Sequence, residues 1–126
     1  MYSVEITNAG GSQFKVISKD YEFVVDTKGG GVTPPDALLA SLASCIGVYT
    51  RKYFEGAKLE APEFKIYAEA EFTKESPVCF RQIRVRLELA GNPLDERRKK
   101  GLLEFAKNCP VHNTLHADPA VEITVG

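Results

Sequence analysis

The sequence predicts an α+β fold with the element order β-β-β-α-β-β-α-β, built as one domain over residues 1–126. Six short segments alternate apolar and polar residues, as strands of antiparallel sheets do. Two longer segments repeat their apolar residues every three or four positions and begin with residues that cap helices. A chain of 126 residues can bury one substantial core but is short for two domains.

The six alternating segments fall into three groups along the chain. Three come first, two longer ones follow the first helix, and one ends the chain. The turn signal at residues 8–11 separates the first two strands. The predicted strands are Tyr2–Thr7, Gln13–Ser18, Tyr21–Asp26, Phe64–Lys74, Phe80–Ala90 and Val121–Val125.

The first helix has clear start and stop signals. Thr33 is a good N-cap, Pro34 suits the first helical position, and the Asp36 carboxylate favours the positive end of the helix dipole. The apolar pattern runs from Leu38 to about Phe54, and Gly56 ends it. The second helix repeats this arrangement, with Asn92 as the expected cap, Pro93 next, and an end near Asn108.

No charged residue occurs in the first helix between Ala37 and Val48. A helix that is apolar on nearly every side must be covered on nearly every side. Because one small domain has little material to wrap it, we expect a homodimer in which the first helices of the two subunits share a common core.

Composition excludes several functional classes. With 16 basic and 17 acidic residues, the chain has no electrostatic attraction to nucleic acid or to an anionic membrane. The sequence has no signal-peptide pattern, no span long enough for a bilayer and no cofactor motif. Three cysteines in such a chain indicate the reducing cytoplasm, where a disulfide would be transient.

Cys45 lies on the apolar stripe of the first helix with Leu38, Leu42 and Tyr49. It fits either a small core residue or a reactive thiol in a dry pocket. A reactive thiolate in mid-helix gains nothing from the helix dipole and needs a cation or hydrogen-bond donors from elsewhere.

Cys109 precedes Pro110, which suits the start of a new helical turn through Val111–Leu115. There it would lie at an N-cap, where free N–H groups favour a thiolate, or it would complete a core stripe. Cys79 is expected to be packed and inert. Cys109, His112 and His116 are also spaced to share one helix face, which leaves a metal site as an alternative.

Two segments together resemble the OsmC/Ohr family of osmotically inducible and organic hydroperoxide resistance proteins. One is Thr33–Cys45, with the pattern T-P-x-D-A-L-L-x-x-L-A-S-C, and the other is Cys109–Leu115, with the pattern C-P-V-x-N-x-L. The resemblance covers most of the chain. It implies an intertwined α+β homodimer that acts as a thiol-dependent peroxidase on organic hydroperoxides.

The resemblance also implies the site residues. Cys45 would be the peroxidatic thiol and Cys109 the resolving thiol, with Asp36, Leu38, Leu42 and Tyr49 supporting the site or lining its pocket. No cofactor is implied, and an external dithiol or a lipoylated protein would regenerate the thiols. A relative that binds a small apolar molecule without catalysis remains the alternative.

The chain departs from the hydroperoxide-resistance branch at the groups that activate the cysteine. It has no arginine before Arg51, and Pro35 stands where that branch has a glutamate, so that Asp36 is the nearest carboxylate. The candidate activating cations are Lys15, Lys28, Lys52 and Arg81.

Overall fold

The computed structural model describes the whole chain, Met1–Gly126. Five strands and three helices form two compact units, Met1–Ala40 and Ser41–Gly126. None of the helices is long and apolar enough to cross a membrane. The elements are β1 (Glu5–Thr7), β2 (Gln13–Ile17), β3 (Glu22–Asp26), α1 (Pro34–Gly56), β4 (Phe64–Phe72), β5 (Phe80–Leu89), α2 (Glu96–Ala106) and α3 (Pro110–Ala117).

The first unit contains an antiparallel three-stranded sheet in the order β1-β2-β3. The three predicted strands are confirmed with shorter bounds. Strand β1 begins at Glu5 rather than Tyr2, and β2 and β3 are each one residue shorter than predicted. In the turn between β1 and β2, the Asn8 side-chain amide donates hydrogen bonds to the carbonyls of Gly11 and Gln13. Asparagine side chains of this kind replace backbone partners that a tight turn leaves unpaired.

Asp26 organises the glycine-rich loop that follows β3. Its buried carboxylate accepts a hydrogen bond from the Lys28 backbone N–H at 2.8 Å. A Cβ at Gly31 would lie 2.4 Å from the Val24 carbonyl oxygen, so that only glycine fits there. The Lys28 N–H, helped by the side chains of Ser12 and Gln13 and the Gly30 N–H, lowers the pKa of Asp26 despite its burial.

Helix α1 begins as the sequence predicts. Thr33 Oγ1 accepts from the Asp36 backbone N–H at 3.3 Å, Pro34 is the first helical residue, and Gly56 is the last. Within the second unit, a Cβ at Gly47 would lie 3.3 Å from Ile66 Cδ1, so the glycine lets α1 approach β4 closely.

Strands β4 and β5 form an antiparallel pair in which burial alternates along both strands. Ala68 lies opposite Val85 on the inner face, while Glu69 lies opposite Arg84 on the outer face. The register shifts between Ala70 and Phe72, where a bulge interrupts the pairing. The predicted division into one apolar and one polar face is therefore confirmed.

The core of the second unit lies where α1, α2 and the end of β5 meet. Phe54, Leu94 and Leu102 are its buried centre, and Leu87 and Leu89 of β5 pack against it. Burying side chains of this size contributes roughly 1.5–3 kcal/mol each.

The predicted start of the second helix is wrong. Asn92 lies in a turn with φ of 45° after Gly91, and Asp95 is the N-cap instead, accepting from the Arg98 backbone N–H at 2.8 Å. The reason is that Leu94 is drawn into the core, so the helix begins beyond it. The sequence predicted that this helix ends near Asn108, and in the structure it ends at Ala106. The helical turn predicted after Pro110 is the separate helix α3.

The predicted last strand, Val121–Val125, is absent. The segment has no strand partner, and Val121, Ile123 and Val125 are 79, 86 and 97% exposed. Alternating residues form a strand only when a neighbouring edge supplies backbone hydrogen bonds, and the single chain offers none to this segment.

Asp26 should make the protein acid-sensitive. Because folding lowers its pKa below the usual 3.8, the carboxylate stabilises the fold above that pH and loses this effect as pH falls through the folded-state pKa. We expect Asp26→Asn to lower the urea midpoint at pH 7 and to reduce the loss of stability on acidification.

The exposed turn residue Asp20 provides the matched control, and Asp20→Asn should leave the urea midpoint at both pH values near wild type. Equal acid sensitivity of wild type and Asp26→Asn would contradict the role given to Asp26.

Candidate functional site

Cys45 lies in the middle of α1, one residue before Ile46 and three after Leu42. Its side chain is partly exposed, whereas Leu42 is buried. Cys45 is far from either end of α1, so the dipole of its own helix supplies no stabilisation for a thiolate.

Cys109 is the N-cap of α3, as one interpretation of the sequence predicted. Its sulfur accepts a hydrogen bond from the His112 backbone N–H at 3.4 Å, and Pro110 is the first helical residue. The side chain is also fully buried. The N-cap and core interpretations, which the sequence left as alternatives, therefore both apply.

The structure brings the two cysteines together, although 64 positions separate them in the sequence (109 minus 45). Both thiols are free, and the Cys45 and Cys109 sulfurs lie within hydrogen-bonding reach. Burial and the neighbouring Cys45 thiol raise the pKa of Cys109, although the His112 and Val111 N–H groups act in the opposite direction. The N–H groups at the N-cap do favour a Cys109 thiolate, as the sequence predicted, but burial and the Cys45 thiol outweigh them, so the pKa of Cys109 is raised.

A cavity of about 590 Å³ opens beside this part of α1, and all of its lining belongs to the second unit. Its lining is mainly apolar, and the polar residues in it are Arg81, Gln82, Lys107, His112 and His116. Neither cysteine lines it directly. The principal apolar residues come from α1, β5, α2 and α3: Leu42, Ile46, Ile83, Val85, Leu102 and Leu115.

His112 and His116 lie one helical turn apart in α3, with ring centroids 4.4 Å apart. His112 Nδ1 lies 3.1 Å from the Lys107 carbonyl oxygen. Because a carbonyl can only accept, Nδ1 carries the proton in this contact. Three or more His, Cys, Asp or Glu side chains do not converge on a common metal position anywhere in the chain. The metal alternative with Cys109 thus has no geometric support.

The other predicted site residues lie in separate surroundings. Asp36 occupies the first turn of α1, and Leu38 follows it with 39% of its surface exposed. Tyr49 packs against Phe105 of α2, with ring centroids 5.8 Å apart. Leu42 is the only one of the four predicted supporting residues that lines the cavity.

The candidate activating cations also differ in their contacts. Lys52 Nζ lies 4.7 Å from the centre of the Tyr49 ring, and Lys15 Nζ lies 3.7 Å from a Glu22 carboxylate oxygen. The Lys28 backbone is bound to Asp26. Arg81 alone among them borders the cavity that Ile46 lines.

The sequence did not predict the cavity or the polar residues in its lining. His112 and His116 enter the sequence analysis only as possible metal ligands. His112 and His116 both line the cavity because helix α3 follows Cys109 directly. The sequence predicted only a single helical turn at that place. The spacing of His112 and His116 was the one local signal that these side chains would lie together.

The fold and the paired thiols define an α+β protein with a two-cysteine site beside an apolar cavity. The family model described as OsmC-like protein matches residues 27–124. The chain therefore belongs to the OsmC-like family. Among curated proteins, none matches the sequence.

Solved structures of other OsmC and Ohr proteins share the fold. An OsmC-like protein from Mycoplasma pneumoniae is 22% identical, with a TM-score of 0.82 over 92% of this chain and 87% of its own. The organic hydroperoxide resistance protein OhrB of Bacillus subtilis is 20% identical, with a TM-score of 0.64 over 93% of both chains. An organic hydroperoxide resistance protein from Elizabethkingia anophelis is 22% identical, with a TM-score of 0.65 over 94% and 91%. At these identities the likeness shows the fold alone.

The three thiols should react with iodoacetamide in an order set by exposure and by ionisation. Cys109 is fully buried and its pKa is raised, whereas Cys45 and Cys79 are partly exposed. We expect native protein at pH 8 to be alkylated at Cys45 and Cys79 well before Cys109, as read by peptide mass spectrometry.

Unfolding in urea provides the control, because all three thiols should then react at similar rates. Early alkylation of Cys109 in the native protein would contradict the burial that the structure gives it.

Proposed function

We propose that this protein is a thiol-dependent peroxidase that reduces organic hydroperoxides, with Cys45 as the peroxidatic and Cys109 as the resolving thiol. The observation that carries the proposal is that Cys45 and Cys109 lie close enough within the second unit for Cys45 to raise the pKa of Cys109. Membership of the OsmC-like family supports it, because relatives of the same fold are named as organic hydroperoxide resistance proteins.

In the first step the Cys45 thiolate attacks one peroxide oxygen and the O–O bond breaks. The sulfur becomes a sulfenic acid, and the alkoxide leaves as an alcohol after it takes up a proton. The raised pKa of Cys109 keeps its S–H protonated, so that it can donate a hydrogen bond to the Cys45 sulfur.

In the second step the Cys109 sulfur attacks the Cys45 sulfenic acid. A disulfide forms, and the sulfenic oxygen leaves as water. An external dithiol or a lipoylated protein then reduces the disulfide by exchange and is itself oxidised to a disulfide. The two sulfurs must approach to roughly 2 Å to form this bond, and side chains that already influence one another's ionisation start near that position.

The different exposure of the two thiols supports the roles proposed for Cys45 and Cys109. Cys45 is partly exposed and borders residues of the apolar cavity, so a hydroperoxide with an apolar group can reach it. Cys109 is fully buried and can meet only its neighbour. The absence of a cofactor motif and the small number of cysteines agree with a cytoplasmic reaction that uses protein thiols alone.

We also propose that the protein acts as a homodimer in which the α1 helices share a common core. Val48 is 52% exposed in the single chain, within a stretch of α1 that carries no charge. Water contact along such a helix is unfavourable, and a second copy would remove it.

Substitution of single cysteines should separate the chemical steps. With t-butyl hydroperoxide and excess dithiothreitol, Cys45→Ser should abolish turnover, at least about a hundredfold, because no thiolate remains to attack the peroxide. In the absence of dithiothreitol, Cys109→Ser should still consume about one equivalent of peroxide and accumulate the Cys45 sulfenic acid, because no second thiol remains to condense with it. Peroxide consumption and dimedone-labelled peptides measure the two outcomes.

Cys79→Ser is the matched control and should keep wild-type turnover. Unchanged activity in Cys45→Ser would refute the peroxidase proposal. Peroxide-treated wild type should contain a disulfide between Cys45 and Cys109.

A charge on α1 should break the proposed dimer. Val48→Asp would bury a carboxylate without a partner, so we expect sedimentation velocity to show a shift from dimer to monomer. Val78→Asp is the control, since Val78 is 64% exposed in the turn between β4 and β5. A wild-type protein that sediments as a monomer at micromolar concentration would dispose of the proposal.

A further inference from the structure

The two histidines of the chain lie side by side on one face of α3, and the sequence contains no others. His112 and His116 are four positions apart, which places them one turn apart on the same side of the helix. Their ring centroids are 4.4 Å apart, with an angle of 52° between the ring planes. The pair therefore offers two imidazoles to one position beside the helix.

We propose that His112 and His116 together bind one divalent ion of a late first-row transition metal, such as Ni²⁺. Imidazole nitrogen suits these ions, whereas Mg²⁺ and Ca²⁺ take oxygen ligands. Nitrogens bound to one ion at about 2.1 Å lie roughly 3 Å apart. Rings with centroids 4.4 Å apart reach this spacing by side-chain rotation. Water would complete the coordination, because no third His, Cys, Asp or Glu side chain converges on the pair.

His112 already has the arrangement of a metal ligand. Its Nδ1–H donates a hydrogen bond to the Lys107 carbonyl oxygen at 3.1 Å, which leaves the lone pair of Nε2 free to bind an ion. Histidines that bind metals usually donate their second ring N–H to a carbonyl or carboxylate in this way. The hydrogen bond fixes the orientation of the ring and raises the basicity of the ligand nitrogen. This observation is independent of the spacing between the two histidines.

His116 supplies the second nitrogen from the last turn of α3, and its side chain is exposed. The ring can therefore rotate until one of its nitrogens meets the same ion. The last turn of a helix carries partial negative charge on its free carbonyl groups, which favours a cation. Asp118, the C-cap of α3, adds a full negative charge two residues further along the chain.

Two positive side chains oppose a cation at this place, because Arg81 and Lys107 line the same cavity as the two histidines. The Lys107 ammonium lies 3.9 Å from a Glu104 carboxylate oxygen, which offsets part of its charge. An ion attracted only by charge would not collect here. Binding depends instead on coordinate bonds to neutral imidazoles, so the site selects metals that bind nitrogen strongly.

Cys109 takes no part in this site, although it is the N-cap of the same helix. Its sulfur accepts the His112 backbone N–H at 3.4 Å, and its side chain is fully buried. The proposed site therefore differs from a metal tripod of Cys109 with the two histidines. It also does not depend on the proposed peroxidase chemistry. Metal bound by the cysteine thiols is the competing outcome, and the test separates the two.

The test is a calorimetric titration of untagged protein, reduced beforehand and freed of reductant, with NiCl₂ and with MgCl₂. At about pH 7.5 free imidazole is mostly neutral. Wild type should bind one Ni²⁺ per chain and no Mg²⁺. His112→Gln and His116→Gln should each weaken Ni²⁺ binding at least about tenfold, because a single imidazole loses the advantage of chelation. One equivalent of Ni²⁺ should also broaden the imidazole NMR signals of both histidines in wild type, a readout that needs no substitution.

Two controls assign the ion to the histidine pair. The double variant Asn113→His/His116→Gln keeps two histidines but places them about 100° apart around the helix, and it should bind Ni²⁺ no better than His116→Gln. The double variant Cys45→Ser/Cys109→Ser removes the thiol pair, and serine keeps an N-cap on α3. This variant should bind Ni²⁺ as tightly as wild type.

Unchanged Ni²⁺ affinity in His116→Gln would overturn the proposal, and so would loss of Ni²⁺ binding in the double serine variant, which would assign the metal to the thiols. Wild-type affinity in Asn113→His/His116→Gln would show that the helical spacing is irrelevant and would overturn it as well. A wild-type protein that binds no Ni²⁺, or that binds Mg²⁺ as well as Ni²⁺, would have the same consequence.

Discussion

The proximity of Cys109 to Cys45 is the constraint on which the rest of the site depends. It fixes the start of α3 against the middle of α1, because Cys109 is at once the N-cap of α3 and a fully buried residue. The placement of α3 then determines the cavity, since His112, Leu115 and His116 line it from that helix. Cys109 therefore has two roles. It accepts a hydrogen bond from an otherwise unpaired N–H at the start of α3, and it packs near a residue that is distant in the sequence.

Local signals predicted most of the elements because each depends on a few neighbouring residues. Thr33 and Pro34 begin α1, Gly56 ends it, and the alternation in β4 and β5 gives two faces whatever lies around them. Pro110 likewise predicted a helical turn, and in the structure α3 begins at this residue. Such features follow from capping and side-chain periodicity, which act over one or two turns.

The errors arose where a distant partner decides the outcome. Asn92 has the residue type of a cap, but burial of Leu94 moves the helix start to Asp95. Val121–Val125 has the pattern of a strand, but a strand exists only beside another edge, and none in the chain adjoins it. The meeting of Cys45 with Cys109 could be suggested only by a family resemblance, because spacing along the chain does not reveal which helix faces touch.

Burial of the thiol pair acts on the two sulfurs in different ways. Desolvation raises the pKa of Cys109 more than its helix N–H donors lower it, so this thiol is held in its neutral form. A neutral thiol beside a second sulfur is a poor nucleophile and a useful donor, which suits a residue that acts only after its partner has been oxidised. Burial is the first cause of the raised Cys109 pKa and electrostatic repulsion by Cys45 the last, and oxidation of Cys45 to a sulfenic acid removes that repulsion. In the proposed reaction the same contact thus keeps Cys109 inactive before oxidation and brings it into reach afterwards.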